Sequence, residues 1–156
     1  MLQRVTLKDK TFVPYITSDK ISVSVKQLAQ KINADLVNEM PLFLFVLNGS
    51  FMFAADLLKE VSIPCEISFI KLASYHGTSS TGTVTEMIGL TEEIKGRTVV
   101  VVEDIVDTGV TLEKLVALLT KKEVKQIKVA SFLLKPEAYK KDIPVDYVGM
   151  EIPNDF

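Results

Sequence analysis

Val99-Val100-Val101-Val102-Glu103-Asp104-Ile105-Val106-Asp107-Thr108-Gly109-Val110-Thr111 decides the fold. Four consecutive valines read as a strand buried on both faces, the pattern of a parallel sheet covered by helices. Two adjacent carboxylates, Glu103 and Asp104, stand at the C-terminal end of this strand. A turn with a third acid, a hydroxyl and a glycine follows, and then an apolar-periodic helix. In an open α/β sheet that end of the strands is where ligands bind. Inward-pointing loop amides and a helix N-terminus can hold a phosphate without any lysine, and Asp107, Thr108, Gly109, Val110 and Thr111 fit such a cradle. Gly109 lets the backbone turn tightly, and the hydroxyls of Thr108 and Thr111 add donors. Glu103 and Asp104 suit sugar hydroxyls or a hard Mg²⁺ that keeps most of its waters. The competing reading is a solvated acidic turn with Thr111 as a helix cap. It leaves two acids directly behind a buried strand with no task, which is costly.

The flanking sequence supplies the partners of that strand. Ile21, Val25, Leu28, Ile32 and Leu36 recur at helical spacing after Ser18, which reads as an N-cap, so the pattern predicts a helix over residues 19–38. Leu42 to Leu47 is a continuous apolar run read as a buried strand. Asn48-Gly49-Ser50 is a turn, and Ser50 caps a helix reaching about Val61. Further strands are expected from Pro64 to Leu72, Val84 to Leu90, Ile127 to Leu134 and Val145 to Met150, with a helix from Thr111 to about Lys122. Residues 73–83, small and polar with two glycines, read as a mobile loop. Strands alternating with helices are the signature of a mostly parallel, doubly wound α/β sheet.

A chain of 156 residues fits one domain, and 47% hydrophobic residues suffice for a core. The balance of 18 basic against 20 acidic residues leaves no overall nucleic-acid footprint. Cys65, the only cysteine, excludes an internal disulfide and reads as a filler beside Pro64. The N-terminal stretch lacks the apolar core of a signal peptide, and no apolar run reaches membrane-spanning length, so a cytoplasmic protein without membrane contact is expected.

Glu103-Asp104-Ile105-Val106-Asp107-Thr108-Gly109 resembles the phosphoribosyl-diphosphate (PRPP) signature of type I phosphoribosyltransferases, and the wider pattern resembles their hypoxanthine-guanine branch. Leu47-Asn48-Gly49 stands where that family has a short pyrophosphate loop, and Ser74-Tyr75 where it has a flexible lid. Leu133-Leu134-Lys135-Pro136 matches its base-binding lysine segment, and residues 145–156 match the strand leading to its purine-stacking aromatic. The resemblance implies a type I phosphoribosyltransferase sheet with a small hood from the N-terminal segment. It implies Mg²⁺-dependent transfer of phosphoribose from PRPP to hypoxanthine or guanine, giving IMP or GMP, and hence purine salvage. It also implies a homodimer or homotetramer.

By the same resemblance Asp107 serves as general base at purine N7. Glu103 and Asp104 hold ribose hydroxyls and the metal, and residues 107–111 hold the 5′-phosphate. Asn48, Gly49, Ser74 and Tyr75 face the pyrophosphate. Lys135 donates to the 6-oxo group, and Phe156 and Ile105 lie on opposite faces of the base. The family often carries lysine where this chain has Asn48, and its Leu47–Asn48 peptide can be cis. His76, the only histidine, reads as a solvated loop residue. Family members continue with a segment carrying a further aspartate, an arginine and a last strand, so the natural chain is expected to run past Phe156.

Three other classes share parts of the pattern. A PRPP-sensing regulator that binds RNA or DNA would need a basic surface. A receiver domain would carry its acidic pair near the N-terminus. A dinucleotide-binding domain would show G-x-G-x-x-G after a strand, which is absent here.

Overall fold

The structure, a computed structural model, describes residues 4–73 and 85–156, with the backbone alone at residue 73 and residues 85–88. The expectations for Ser74, Tyr75 and His76 lie outside the described residues. In chain order the elements are β1 (Val5–Leu7), β2 (Lys10–Phe12), α1 (Ser18–Asp35), β3 (Leu42–Val46), α2 (Phe51–Glu60), β4 (Glu66–Ala73), β5 (Thr85–Ile88), β6 (Thr98–Val106), α3 (Val110–Lys121), β7 (Gln126–Leu134) and β8 (Tyr147–Glu151).

The valine strand is the centre of a six-stranded sheet of order β5-β4-β3-β6-β7-β8. β4, β3, β6, β7 and β8 run parallel, and β5 is added antiparallel to β4 at one edge. Alternation along the strands divides the core in two. Phe43, Phe45, Val100 and Val102 face one side, where Val25, Leu28 and Ile32 of α1 and Phe53 and Leu57 of α2 cover them. Leu42, Leu44, Val99 and Val101 face the other, under Leu112, Leu115 and Leu119 of α3. All four valines are fully buried, as expected of a strand with helices on both faces. Each such side chain contributes about 1.5–3 kcal/mol. The ion pairs join mostly solvent-exposed groups and are worth about 0–1 kcal/mol each, so the apolar sheet faces dominate.

Strand order creates the crevice. From β3 the chain crosses to β4 through α2 on one face, and from β6 it crosses to β7 through α3 on the other. Between the C-terminal ends of β3 and β6 the connections therefore part in opposite directions. This is the topological switch point, where open α/β sheets bind ligands.

Local chemistry shifts several boundaries. α1 is capped by Thr17 rather than Ser18: the Lys20 amide donates to Thr17 Oγ1 at 3.4 Å, and Leu36 closes the helix by donating its amide to Ile32 O. Ser50 precedes α2 but makes no capping bond; its hydroxyl donates back to the Val46 carbonyl at 2.7 Å. β6 runs on to Val106, so Glu103 and Asp104 lie inside its second half rather than beyond it. The N-terminal hairpin β1–β2 forms a separate two-stranded sheet. Its strands are three residues long and exposed throughout, with no alternation to reveal them in the sequence. Among the described residues no helix is long and apolar enough to cross a membrane.

α1 packs over β8, and Gly149 is a point of close approach between them. A Cβ there would lie 2.6 Å from the Phe132 carbonyl oxygen and 3.0 Å from Ser24 Oγ. Because the first of these is backbone of a paired strand, it cannot move aside cheaply. Gly149→Ala is expected to cost about 1–3 kcal/mol, read as a lowered melting temperature with catalytic constants preserved below it. An unchanged melting temperature would contradict this packing.

Candidate functional site

A cavity of about 380 Å³ opens at the switch point, lined by the ends of β3 and β6, the loop 107–109 and the first turns of α3. Val46 and Leu72 contribute apolar wall, and Glu103, Asp104 and Asp107 contribute three carboxylates.

The end of β3 is tightly turned. The Leu47 amide donates to Ile70 O at 2.8 Å, and the Ser50 amide to Val46 O at 3.2 Å. The Leu47–Asn48 peptide is cis. Gly49 allows the loop to touch β6: a Cβ at this position would lie 2.5–2.8 Å from the Asp104 carboxylate atoms. No other residue type leaves room for Asp104 beneath this loop. Asn48 and Gly49 are exposed, while Asp104 is half-buried.

Glu103 is the anomalous group. It is 7% exposed, and burial first, with the neighbouring Asp104 charge second, pushes its carboxyl up to about 8. Such a group attracts a cation or hydroxyl donors. The residues present suit Mg²⁺ in one particular way. Among the described residues no cluster of three or more His, Cys, Asp or Glu side chains forms a protein cage. Mg²⁺ is, however, commonly held by one or two carboxylates together with oxygens of a phosphate substrate. Glu103 and Asp104 offer that minimal set.

The loop after β6 is held by both its neighbours. Gly109 has φ +85° and is the residue before α3, a conformation that favours glycine. A Cβ there would strike the Tyr139 ring at 2.5 Å and Lys141 Cγ at 2.8 Å. The segment after β7 therefore packs directly on the loop. Tyr139 is anchored in turn by its hydroxyl, which donates to Ile143 O at 2.6 Å. Thr108 is exposed and Gly109 buried, and both line the cavity with Val110 and Thr111. Ile105 lines it as well, and pairs with Leu133 of β7.

Lys135 follows β7 and is buried, unusual for lysine. Its Nζ lies 3.4 Å from Asp107 Oδ2 and 3.3 Å from the Asn154 carbonyl oxygen. Three sequence motifs, at 103–109, 133–136 and 145–156, thus meet at one ammonium group. Phe156 is half-exposed, does not line the cavity, and rests against Tyr15 with ring centroids 5.4 Å apart. That contact brings Tyr15 of the N-terminal segment against the segment that follows β8. Beyond the lysine-free loop, Lys114, in the second turn of α3, also lines the cavity. It lies three residues after Thr111, on the same side of the helix, a spacing legible in the sequence.

A phosphoribosyl transferase domain family model matches residues 17–156. The hypoxanthine-guanine phosphoribosyltransferase of Streptococcus agalactiae is 40% identical over 141 residues, covering 90% of this chain and 78% of that protein. The Bacillus subtilis hypoxanthine-guanine phosphoribosyltransferase is 36% identical over 142 residues, covering 90% and 79%. Among solved structures, a hypoxanthine-guanine phosphoribosyltransferase from Bacillus anthracis superposes with a TM-score of 0.81 at 38% identity, covering 90% of this chain and 82% of that one.

The buried Glu103 has a measurable consequence. Its carboxyl rises from about 4.5 in the unfolded chain to about 8 in the native state, so between these values the native state holds a proton that the unfolded state has released. Stability of the ligand-free protein should therefore fall as pH rises through this window. Glu103→Gln, which stays neutral, should flatten that slope and melt higher than the parent at pH 8 in chelator-containing buffer. A parent whose melting temperature is level across the window would contradict the burial of this acid.

Proposed function

The chain belongs to the phosphoribosyltransferase family, in its hypoxanthine-guanine branch, and from that premise we propose that it transfers phosphoribose from PRPP to N9 of hypoxanthine or guanine. The products are pyrophosphate and IMP or GMP. In this reaction a bond forms between N9 and C1′ of the sugar, and the bond from C1′ to the pyrophosphate oxygen breaks. The proton on N7 leaves the base as the ring becomes a neutral nucleotide.

The observation that carries this reading is the pairing of Lys135 Nζ with Asp107 Oδ2 at 3.4 Å. A 6-oxopurine presents its 6-oxygen and N7 side by side on one edge. With N7 protonated, that edge offers an acceptor next to a donor. Lys135 only donates, and ionised Asp107 only accepts, so the pair complements such an edge atom for atom. Asp107 then receives the N7 proton as N9 attacks. Adenine offers an amino group to the ammonium of Lys135 and leaves it unpartnered.

The remaining groups divide the sugar and its charges among them. The amides of residues 107–111 and the N-terminus of α3 receive the 5′-phosphate. The carboxylates of Glu103 and Asp104 accept from the ribose hydroxyls. Mg²⁺, when bound, would be held by the same two carboxylates with oxygens of PRPP, and would neutralise charge on the departing pyrophosphate. The amides around Asn48 and Gly49 face the pyrophosphate. Ser74 and Tyr75 carry the lid role, excluding water from the oxocarbenium-like transition state. Ile105 and Phe156 take the two faces of the base, with Tyr15 behind Phe156.

Pyrophosphate release from PRPP and Mg²⁺ in a panel of purines tests the assignment. Hypoxanthine and guanine should be consumed and adenine rejected by about 10⁴-fold or more; equal use of adenine would overturn it. Asp107→Asn keeps the shape of the side chain but cannot take the proton. It should lower kcat by about 10²–10⁴-fold while leaving PRPP affinity in place. A kcat near that of the parent would reduce Asp107 to a loop-shaping role.

A further inference from the structure

The cavity is electrically lopsided. Glu103, Asp104 and Asp107 bring three carboxylates to it, whereas Lys114 is the one cationic side chain lining it among the described residues. Glu103 and Asp104 belong to β6, and Asp107 to the loop that leads into α3. The first turns of α3 also line the cavity, and their unpaired amides and dipole already favour an anion.

Lys114, exposed in the second turn of α3, lines the cavity with its charge uncommitted. The adjacent acid in sequence, Glu113, is tied to Lys141 at 2.8 Å and does not line the cavity. Lys141 in turn packs over Gly109, so the acid of this turn is held and neutralised from the far side of the phosphate loop. Lys114 itself pairs with no carboxylate among the described residues. A dianionic group entering the cavity thus meets two carboxylates on β6, and helix amides with a free ammonium on α3.

Resting on the reading of the site given above, we propose that Lys114 is a binding and specificity residue for the 5′-phosphate. It makes the cavity prefer phosphorylated over unphosphorylated ligands, and it fixes which end of the sugar enters on the α3 side. The backbone cradle supplies directional donors that no substitution removes, and Lys114 supplies the net charge. Its contribution is therefore in binding, and the ammonium touches no reacting atom.

Calorimetric titration with IMP and with inosine, which lacks only the phosphate, separates these roles. The parent, Lys114→Gln and Lys114→Arg are compared at low and high ionic strength. Lys114→Gln should weaken IMP binding by about three- to thirtyfold, the span between an exposed ion pair and a charge-assisted hydrogen bond. It should leave inosine binding unchanged, and the loss should shrink at high salt as charges are screened. Lys114→Arg should restore most of the affinity for IMP. An unaltered affinity of Lys114→Gln for IMP, or equal losses for IMP and inosine, would overturn the assignment. A parent that binds no IMP and forms none from PRPP and hypoxanthine would overturn the reading of the site itself, and Lys114 with it. A parent that turns over normally beside an unaffected Lys114→Gln would overturn only the role of Lys114.

Discussion

Glu103 is a carboxylate folded into the end of an apolar strand, and the rest of the site follows from where that strand sits. Val99 to Val102 are fully buried between α3 on one face and α1 and α2 on the other, so residues continuing from them emerge at the floor of the crevice between β3 and β6. Burial and the adjacent Asp104 raise the Glu103 carboxyl to about 8. An acid in that position costs stability in the empty protein. On the function proposed above, hydroxyl donors or a cation would offset this cost, and the same packing that builds the core would leave the site poised for ligand.

Close contacts turn this poised pair into a defined site. Gly49 lets the loop after β3 lie directly on Asp104, and Gly109 lets Tyr139 and Lys141 lie directly on the loop after β6. Two glycines thus lock two ligand loops against neighbouring segments, one at each end of the cavity. Lys135 ties the end of β7 to the loop after β6 and to the segment after β8, through Asp107 and the Asn154 carbonyl. The Gly49 loop, the acidic pair and Lys135 thus sit at the C-terminal ends of three adjacent strands, β3, β6 and β7, the end at which open parallel sheets bind ligands.

The sheet was legible in the sequence because its strands are apolar on both faces and its helices keep a 3.6-residue period. Leu42–Val46, Val99–Val102 and the Leu112, Leu115, Leu119 stripe all lie where those patterns put them. The acidic pair was legible for the opposite reason: charge directly behind a buried valine run needs a partner. The β1–β2 hairpin was not legible, since its exposed three-residue strands have no buried face to write a pattern. The cap of α1 is Thr17 and not Ser18, since both are capping types and only the backbone decides between them. Lys114 lies outside the loop motif, which ends at Thr111, although helical spacing carries the cavity wall one turn further.

The central claim is that Glu103 and Asp104 are held at the switch point to receive PRPP with its metal. Calorimetry of PRPP binding to the parent and to the Glu103→Ala, Asp104→Ala double variant, each with Mg²⁺ and with chelator, tests it most directly. Circular dichroism confirms that the variant is folded. The account predicts tight binding only for the parent with Mg²⁺, and strong loss on removing either the metal or the two acids. PRPP affinity that survives in the folded double variant would contradict it.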